Sequence, residues 1–240
     1  MYGLTIVIPT KNEEKDLPCL LASLANQREI QAVVIVVDAQ STDQTRGIAH
    51  QAGAHVLEGG AVGYGRNAGA RAAQTEWILF LDADVLCPSP SFLVDVLTEC
   101  EDRSLDLATC RIVPNSSRVF DRWAYAVYHA YVTLLEHVLP HAPGFCILVR
   151  RSVHERIGGF DEGVVFGEDM EYVQRAARKG FRFGILRRSS ILTSVRRFEK
   201  DGRFRSIWQY LRAELFMLLH GPIRKPMFLY EMGGSAFRKK

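Results

Sequence analysis

The chain has 240 residues, of which 48% are hydrophobic and 24% are charged, with a formal net charge of +3. These values are ordinary for a soluble globular protein with enough length for a sizeable core. Five scattered cysteines without a C-x-x-C pair exclude an obvious zinc site or disulfide framework and fit a reducing compartment. The longest uncharged apolar stretch, 123–135, is shorter than the roughly 18–20 residues of a membrane-spanning helix. A strand is predicted almost from Met1, so no signal peptide is expected.

The first strands are wholly apolar and alternate with helical segments. Residues 4–9 and 32–37 are predicted to be strands, and leucines between them recur at helical spacing. Strand–helix–strand order predicts parallel strands joined by crossovers. The second strand ends in Asp38, and Ser41-Thr42-Asp43-Gln44 is interpreted as a capping box at the start of the next helix.

Residues 59–73 are rich in glycine and alanine and are predicted to be a loop that leads into a helix. Small residues allow the backbone to approach a phosphate or nucleotide closely. The glycines match neither a dinucleotide-binding fingerprint nor a P-loop. A connector that simply packs tightly explains them equally well.

The stretch 77–84 is the centre of the predicted site. Five apolar residues predict a strand buried on both faces, and Asp82 and Asp84 follow it. Ligands of open α/β sheets bind at the carboxyl ends of the strands. Two adjacent acids there favour a hard divalent cation such as Mg²⁺ or Mn²⁺. The alternative is that Asp82 is a strand-end turn residue and Asp84 starts the next loop.

The rest of the chain continues the alternation and then becomes basic. Strands are predicted at 105–113, 143–151 and 183–186, and helices at 90–101, 119–139 and from 167–169 to Gly180. In the last of these helices, Glu168 and Asp169 also fit simple capping by acidic residues. Residues 182–240 contain many lysines and arginines but only four acids: Glu199, Asp201, Glu214 and Glu231.

Two helices carry more apolar surface than a small core needs. The helix at 119–139 is apolar nearly all round, and 203–220 is basic and amphipathic. These features predict a cytoplasmic protein that lies on an anionic membrane surface, the inner face of the cell membrane, without crossing it. The alternative is that both helices pack on the domain or in a dimer interface. No nucleic-acid partner is expected.

Six segments in order resemble the family 2 glycosyltransferases of the GT-A fold: IVIPTKNEE (6–14), VVDAQSTDQT (36–45), GYGRNAGARAA (63–73), FLDADV (80–85), GGFDE (158–162) and GEDMEYVQRAARKGF (167–181). The resemblance covers roughly 3–195. It implies an α/β nucleotide-binding sandwich with a mainly parallel central sheet, as a catalytic domain over 1–195 with an apolar helical insertion at 119–140. A basic amphipathic segment with C-terminal helices is expected over 196–240.

The resemblance also implies an activity: metal-assisted, inverting transfer of a sugar from a nucleoside diphosphate donor to an acceptor hydroxyl. The acceptor is expected to be lipid-linked or a saccharide. Asp169 would be the general base, and Glu168 would support the acceptor side. Asp84 would be the more direct ligand of Mg²⁺ or Mn²⁺, with Asp82 beside it. Six residues would contact the nucleotide sugar: Pro9, Thr10, Glu13, Asp38, Arg66 and Asp82.

The sequence differs from the family pattern in places, and other interpretations of it compete with the resemblance. The family often has two aspartates after the strand predicted at 32–37, but Ala39 follows Asp38 here, so UDP, GDP and dTDP all stay open as the donor nucleotide. No further metal ligand is identified in the C-terminal part, and His220 is unassigned. A non-catalytic sugar-nucleotide-binding or membrane-scaffold protein is the alternative. A sugar nucleotidyltransferase is disfavoured because no glycine-rich loop follows the first strand.

Overall fold

The computed structural model describes residues 3–225, so the part of the predicted C-terminal segment at 226–240 lies outside the described residues. The strands are Leu4–Thr10 (β1), Ala32–Asp38 (β2), His55–Glu58 (β3), Trp77–Leu81 (β4), Val85–Leu86 (β5), Leu107–Pro114 (β6), Cys146–Arg150 (β7) and Phe183–Thr193 (β8). The helices are Leu17–Ala25 (α1), Thr45–Gln51 (α2), Val62–Ala72 (α3), Phe92–Asp102 (α4), Val119–Leu134 (α5), Arg151–Ile157 (α6), Glu168–Arg178 (α7), Arg196–Asp201 (α8) and Arg203–His220 (α9).

All of these strands lie in one sheet of order β3-β2-β1-β4-β7-β6-β8-β5. The strands β3, β2, β1 and β4 are mutually parallel. Parallel pairing was predicted for β1, β2 and β4, whereas β3 was not predicted. The strand β7 is antiparallel to both β4 and β6, whereas β6 and β8 are parallel. The central sheet is therefore mostly parallel, with β7 reversed in its middle and the short β5 reversed at its edge.

Alternate residues of the central strands contribute to two separate apolar clusters. Ile6 and Leu79 belong to a cluster with the leucines of α1 and the apolar face of α4. Val7 and Phe80 belong to a second cluster with residues of α6 and α7. Successive side chains of a strand point to opposite faces, so the sheet is covered by helices on both sides. This arrangement explains why β4 reads as an uninterrupted apolar run.

The glycine-rich stretch differs from the predicted loop because the helix begins at Val62, so Gly63, Gly65 and Gly69 are helical residues. A Cβ on Gly69 would lie 2.3 Å from a methyl carbon of Val7. Gly69 therefore lets α3 lie directly against β1. Close packing is the observed role of this glycine, and it brings Arg66 of this helix to the carboxyl end of the sheet.

The boundaries elsewhere differ where long-range pairing decides them. The strand β8 continues to Thr193, beyond the predicted end at 186, and β5 was not predicted. Val85 and Leu86 form a strand only because they pair with Thr193 and Leu192. The predicted capping box at 41–44 is wrong, since α2 has Gln44 at its N-cap and no side-chain cap.

The helices α5 and α9 lie side by side and run in the same direction. The guanidinium of Arg203 forms hydrogen bonds of 2.6 and 2.9 Å with the buried carboxylate of Asp121, near the start of both helices. Farther along, the Tyr131 hydroxyl donates to Glu214 at 2.9 Å. The apolar insertion is thereby joined to the C-terminal segment. The helix α5 ends at Leu134, earlier than the predicted 139.

Both helices expose large apolar side chains. On α5 and the turn that follows it, these are Val119, Trp123, Val127, Leu134 and Val138. On α9 they are Phe204, Trp208, Leu211, Leu215, Leu218 and Leu219. We call this set the apolar face. Among residues 3–225, no helix is long and apolar enough to cross a membrane.

Candidate active site

The carboxyl ends of β1, β2 and β4 bring together the polar residues that follow these strands. Thr10 pairs in register with Asp38 across β1 and β2, and its hydroxyl donates to the Asp38 carboxylate at 3.3 Å. Asp38 also accepts from the Ser41 amide at 3.0 Å and is fully buried. Its carboxylate thus holds the loop after β2 in place. Pro9, the residue before Thr10, belongs to β1 itself.

Arg66 is a buried cation at the centre of the site. Its Nη2 donates to Asp82 at 3.0 Å and to the Gly144 carbonyl at 3.1 Å, and its Nη1 donates to Glu168 at 2.7 Å. The guanidinium also lies 5.2 Å from the centre of the Phe160 ring. Burial alone would lower the pKa of Arg66, but the charges of Asp82, Glu168 and Asp169 raise it by a larger amount. The guanidinium therefore stays charged. One arginine therefore joins the D-x-D segment to the start of α7.

Asp169 lies in the first turn of α7, after Gly167 in the left-handed conformation. Its Oδ2 accepts the Gly144 amide at 2.5 Å, and its Oδ1 accepts the Met170 amide at 2.8 Å. Burial and the Glu168 charge raise the pKa of Asp169 to about 7, against the opposing effects of Arg66 and these two amides. A carboxylate with such a pKa is poised to take up or release a proton near neutrality.

Gly144 connects the two halves of this arrangement and was not identified from the sequence. Its amide donates to Asp169 and its carbonyl accepts from Arg66. A Cβ at this position would lie 2.5 Å from Nη2 of Arg66. Only glycine leaves room for the guanidinium, but backbone contacts of this kind have no sequence motif.

Arg196 is the second cation of the site and was also missed. Its Nη1 donates to Glu13 at 2.5 Å and to Asp16 at 2.7 Å, and its Nη2 donates to Glu13 at 2.7 Å. Its Nε lies 3.2 Å from Oδ2 of Asp84. Pairing of β5 with the end of β8 brings this arginine beside Asp84. Several acidic residues follow the strands, and this excess of negative charge predicts that a cation lies nearby. Arg66 and Arg196 are cations that lie beside these acidic residues.

Burial weakens the acidity of the carboxyl groups in this cluster. It raises the pKa of Asp84 to about 7, assisted by the charges of Asp82, Glu13 and Asp16 and opposed by Arg196. Burial likewise raises the pKa of Asp82 and of Glu13, and their arginine partners oppose it. The cluster therefore favours the binding of additional positive charge.

The donor set at the end of β4 fits a hard divalent cation, because it consists of carboxylate oxygens. Asp82 and Asp84 are both partly accessible, with side-chain exposures of 31% and 10%. Within residues 3–225, no group of three or more acidic, histidine or cysteine side chains is arranged to hold a metal. A cation held there would need further oxygen ligands from water or from the phosphates of a bound nucleotide.

The predicted site residues thus fall into connected groups. Arg66 joins Asp82 to Glu168, Gly144 joins Arg66 to Asp169, and Arg196 joins Glu13 to Asp84. Thr10 and Asp38 form a neighbouring pair at the ends of β1 and β2. The roles assigned to these residues in catalysis and donor binding stay predictions.

Solved structures with the same architecture include a mannosyltransferase. A mannosyltransferase from Pyrobaculum calidifontis, in complex with GDP-Man and Mn²⁺, matches with a TM-score of 0.69 and 21% identity, covering 89% of this chain and 61% of that one. S. aureus TarS 1–349, in complex with UDP, matches with a TM-score of 0.64 and 21% identity over 80% of this chain and 60% of that one. These matches confirm the predicted GT-A fold.

Sequence comparisons give the family. The sequence model described as Glycosyl transferase family 2 matches residues 5–158. A pre-mycofactocin glycosyltransferase of Mycobacterium tuberculosis is 30% identical over 193 residues, and the match spans 75% of this chain but only 40% of that relative. An uncharacterized glycosyltransferase of the same species is 31% identical over 189 residues, or 75% of this chain and 81% of the relative. The chain belongs to glycosyl transferase family 2.

Proposed function

We propose that this chain transfers a sugar from a nucleoside diphosphate donor to an acceptor hydroxyl with inversion, with a divalent metal and with Asp169 as general base. The observation that carries the proposal is the Arg66–Gly144–Asp169 connection. It joins an aspartate with a pKa of about 7 to the D-x-D segment at the carboxyl end of the sheet. Single displacement at a sugar carbon needs a base on the acceptor side and charge stabilisation on the leaving side.

On the donor side, Asp84 and Asp82 would hold the metal, Mg²⁺ or Mn²⁺. When bound, this metal would offset the negative charge that develops on the departing diphosphate. The mannosyltransferase of the same fold, solved with GDP-Man and Mn²⁺, supports this assignment. The nucleoside lies along Pro9, Thr10 and Glu13, and Asp38 fixes the loop that borders it.

On the acceptor side, Asp169 accepts the proton of the attacking hydroxyl. The amides of Gly144 and Met170 fix the orientation of its carboxylate, and burial keeps its basicity high for an aspartate. Arg66 keeps Glu168 beside it, where Glu168 supports the acceptor. No covalent nucleophile is required for this route.

The test of the function is a screen of UDP-, GDP- and dTDP-sugars for metal-dependent hydrolysis or transfer. A glycosyltransferase releases nucleoside diphosphate from one class of donor and stops when EDTA removes the metal. A sugar-nucleotide-binding protein without turnover retains the nucleotide and releases none. The latter result would contradict the proposed activity.

The pKa of Asp169 predicts how transfer depends on pH. Because the base must be ionised and its pKa is about 7, kcat/KM for the acceptor should rise with pH and level off above neutrality. Below pH 7 it should fall about tenfold for each pH unit. The measurement is made with donor and Mn²⁺ saturating, so that titration of the metal-binding carboxylates does not limit the rate. A flat profile from about pH 5.5 to 8.5 would rule out Asp169 as the limiting base.

We further propose that the apolar face lies on an anionic membrane surface, at the inner face of the cell membrane, and that the acceptor is a lipid-linked molecule. The exposed arginines Arg118, Arg122, Arg205 and Arg212 flank this face and complement anionic headgroups. A relative named 4,4'-diaponeurosporenoate glycosyltransferase, from Staphylococcus haemolyticus, is 36% identical over 95 residues, or 35% of this chain and 24% of that protein. That name indicates a lipid-like acceptor for the relative and supports the proposal, whereas a saccharide acceptor is the alternative.

Sedimentation with vesicles tests the membrane proposal. The protein is expected to bind vesicles of anionic lipid at low salt and to bind neutral vesicles weakly, since each lysine or arginine contributes about 1 kcal/mol near an anionic surface. Replacing Trp208 and Leu215 by glutamate should lower vesicle affinity more than tenfold, because both exposed side chains lose their apolar contact with lipid. Val33→Glu is the matched control, an exposed apolar residue on β2 away from this face. Absence of binding to anionic vesicles at low salt would contradict the proposal.

A further inference from the structure

Arg196 has an unusual position among the charged residues of the site. A single guanidinium contacts three carboxylates, those of Glu13, Asp16 and Asp84. One positive charge cannot neutralise three negative charges, so the cluster keeps a negative excess when its carboxylates are ionised. Among the four contacts, the one to Asp84 is the longest at 3.2 Å and is made through Nε alone.

The two arginines of the site differ in how firmly they are held. The Arg66 side chain is 2% exposed and lies under Phe160, inside the domain. The Arg196 side chain is 33% exposed and starts the short helix α8, which has no side-chain cap. Arg66 is therefore a fixed internal cation, whereas Arg196 can change partners by rotation of an accessible side chain.

The position of Arg196 gives such an exchange a chemical use. Asp84 is the proposed metal ligand, and an arginine that remains on its Oδ2 competes with the metal for that oxygen. The metal would enter the site together with a diphosphate. A planar guanidinium binds phosphate oxygens through two parallel hydrogen bonds, as it binds a carboxylate.

We propose that Arg196 is an exchangeable counter-ion of the donor site. It pairs with Asp84 in the nucleotide-free protein and turns to the diphosphate of the nucleotide when Asp84 binds the divalent cation. This inference rests on the proposed function, since it assigns Asp84 to the metal and the neighbouring space to the diphosphate. Its contacts with Glu13 and Asp16 keep the guanidinium at the site in both states.

The exchange predicts opposite effects of one substitution on two binding equilibria. In Arg196→Gln, Mn²⁺ alone should bind about tenfold more tightly, because Asp84 no longer has a competing cation. UDP or GDP in the presence of saturating Mn²⁺ should bind about 10- to 100-fold more weakly, because a charge-assisted contact to phosphate is lost. Electron paramagnetic resonance of free Mn²⁺ and calorimetry with UDP and GDP measure the two affinities without relying on turnover. Arg188→Gln, which removes an exposed arginine of β8 paired with Asp102, is the control and should change neither affinity.

A purely structural clamp predicts another pattern. In that case Arg196→Gln weakens Mn²⁺ and nucleotide binding together and lowers the Tm, which would overturn the exchange, as would unchanged affinities for both. Arg196→Lys keeps the charge and provides a variant that folds if glutamine does not; it should retain the wild-type Mn²⁺ affinity and lose part of the nucleotide affinity. Failure of the wild-type chain to bind UDP or GDP even with Mn²⁺ would instead overturn the proposed function, and this inference with it.

Discussion

Replacing Asp169 by asparagine is expected to lower the rate of transfer about 10²- to 10⁴-fold and to leave donor affinity nearly unchanged. Asparagine has nearly the same shape, and its amide oxygen can still accept the Gly144 amide that Asp169 accepts at 2.5 Å. It cannot take up the proton of the acceptor hydroxyl. The loss should therefore appear in kcat with acceptor, whereas calorimetric binding of the nucleotide sugar persists.

A variant of a neighbouring acid in the same helix distinguishes a catalytic role of Asp169 from a role in helix capping. Glu171 also lies in the first turn of α7 and forms a salt bridge of 2.7 Å with Arg175. If acidic residues act there only through the helix dipole, Glu171→Gln and Asp169→Asn should both cost at most about 1 kcal/mol of stability and spare turnover. Transfer by Asp169→Asn at close to the wild-type rate would move the base elsewhere, with Glu168 as the next candidate.

Replacing Asp84 by asparagine is expected to lower turnover at least about 100-fold, because a metal that stabilises a leaving group contributes several kcal/mol and each 1.36 kcal/mol is tenfold in rate. The substitution should leave the fold intact, since Arg196 keeps its contacts with Glu13 and Asp16. Mn²⁺ affinity in the presence of nucleotide should fall in parallel with the rate. Steady-state kinetics over a Mn²⁺ titration measures both.

The matched control for this substitution is Asp102→Asn. Asp102 is an accessible acid that ends α4 and pairs with Arg188, remote from the D-x-D segment. It should retain wild-type turnover and metal response. Full activity of the wild-type protein in excess EDTA, or of the Asp84 variant at ordinary Mn²⁺ concentrations, would contradict the metal assignment.

Three strands of the parallel half of the sheet, β1, β2 and β4, could be predicted from the sequence because they are largely buried, whereas the partly exposed β3 was missed. The runs at β1, β2 and β4 are almost wholly apolar, and parallel strands end at one edge, so the acids after them were expected to meet there. In contrast, β5 is two residues long and gains its strand conformation from β8. No local pattern contains that information, so β5 and the extension of β8 were missed.

The partners of the predicted acids were harder to predict than the acids themselves. Arg66 lay in a segment already singled out, yet its links to Asp82 and Glu168 cross 16 and 102 residues of chain. Gly144 acts through its backbone, and Arg196 lies in a stretch where basic residues are abundant. Sequence position indicated which chemical groups are present, but the packing of distant elements decided which of them meet.

The ion pair between Arg196 and Glu13 also has a consequence for how the protein is made. It joins residues that are 183 positions apart, so it closes nearly the longest loop this domain contains. Closure of such a loop costs about 4–5 kcal/mol of chain entropy, and long-range contacts of this type form late in folding. On the ribosome, β1, β2 and β4 emerge and can pair before the arginine is synthesised. The acidic residues of the cluster are therefore synthesised before their counter-charge, which is added only with α8.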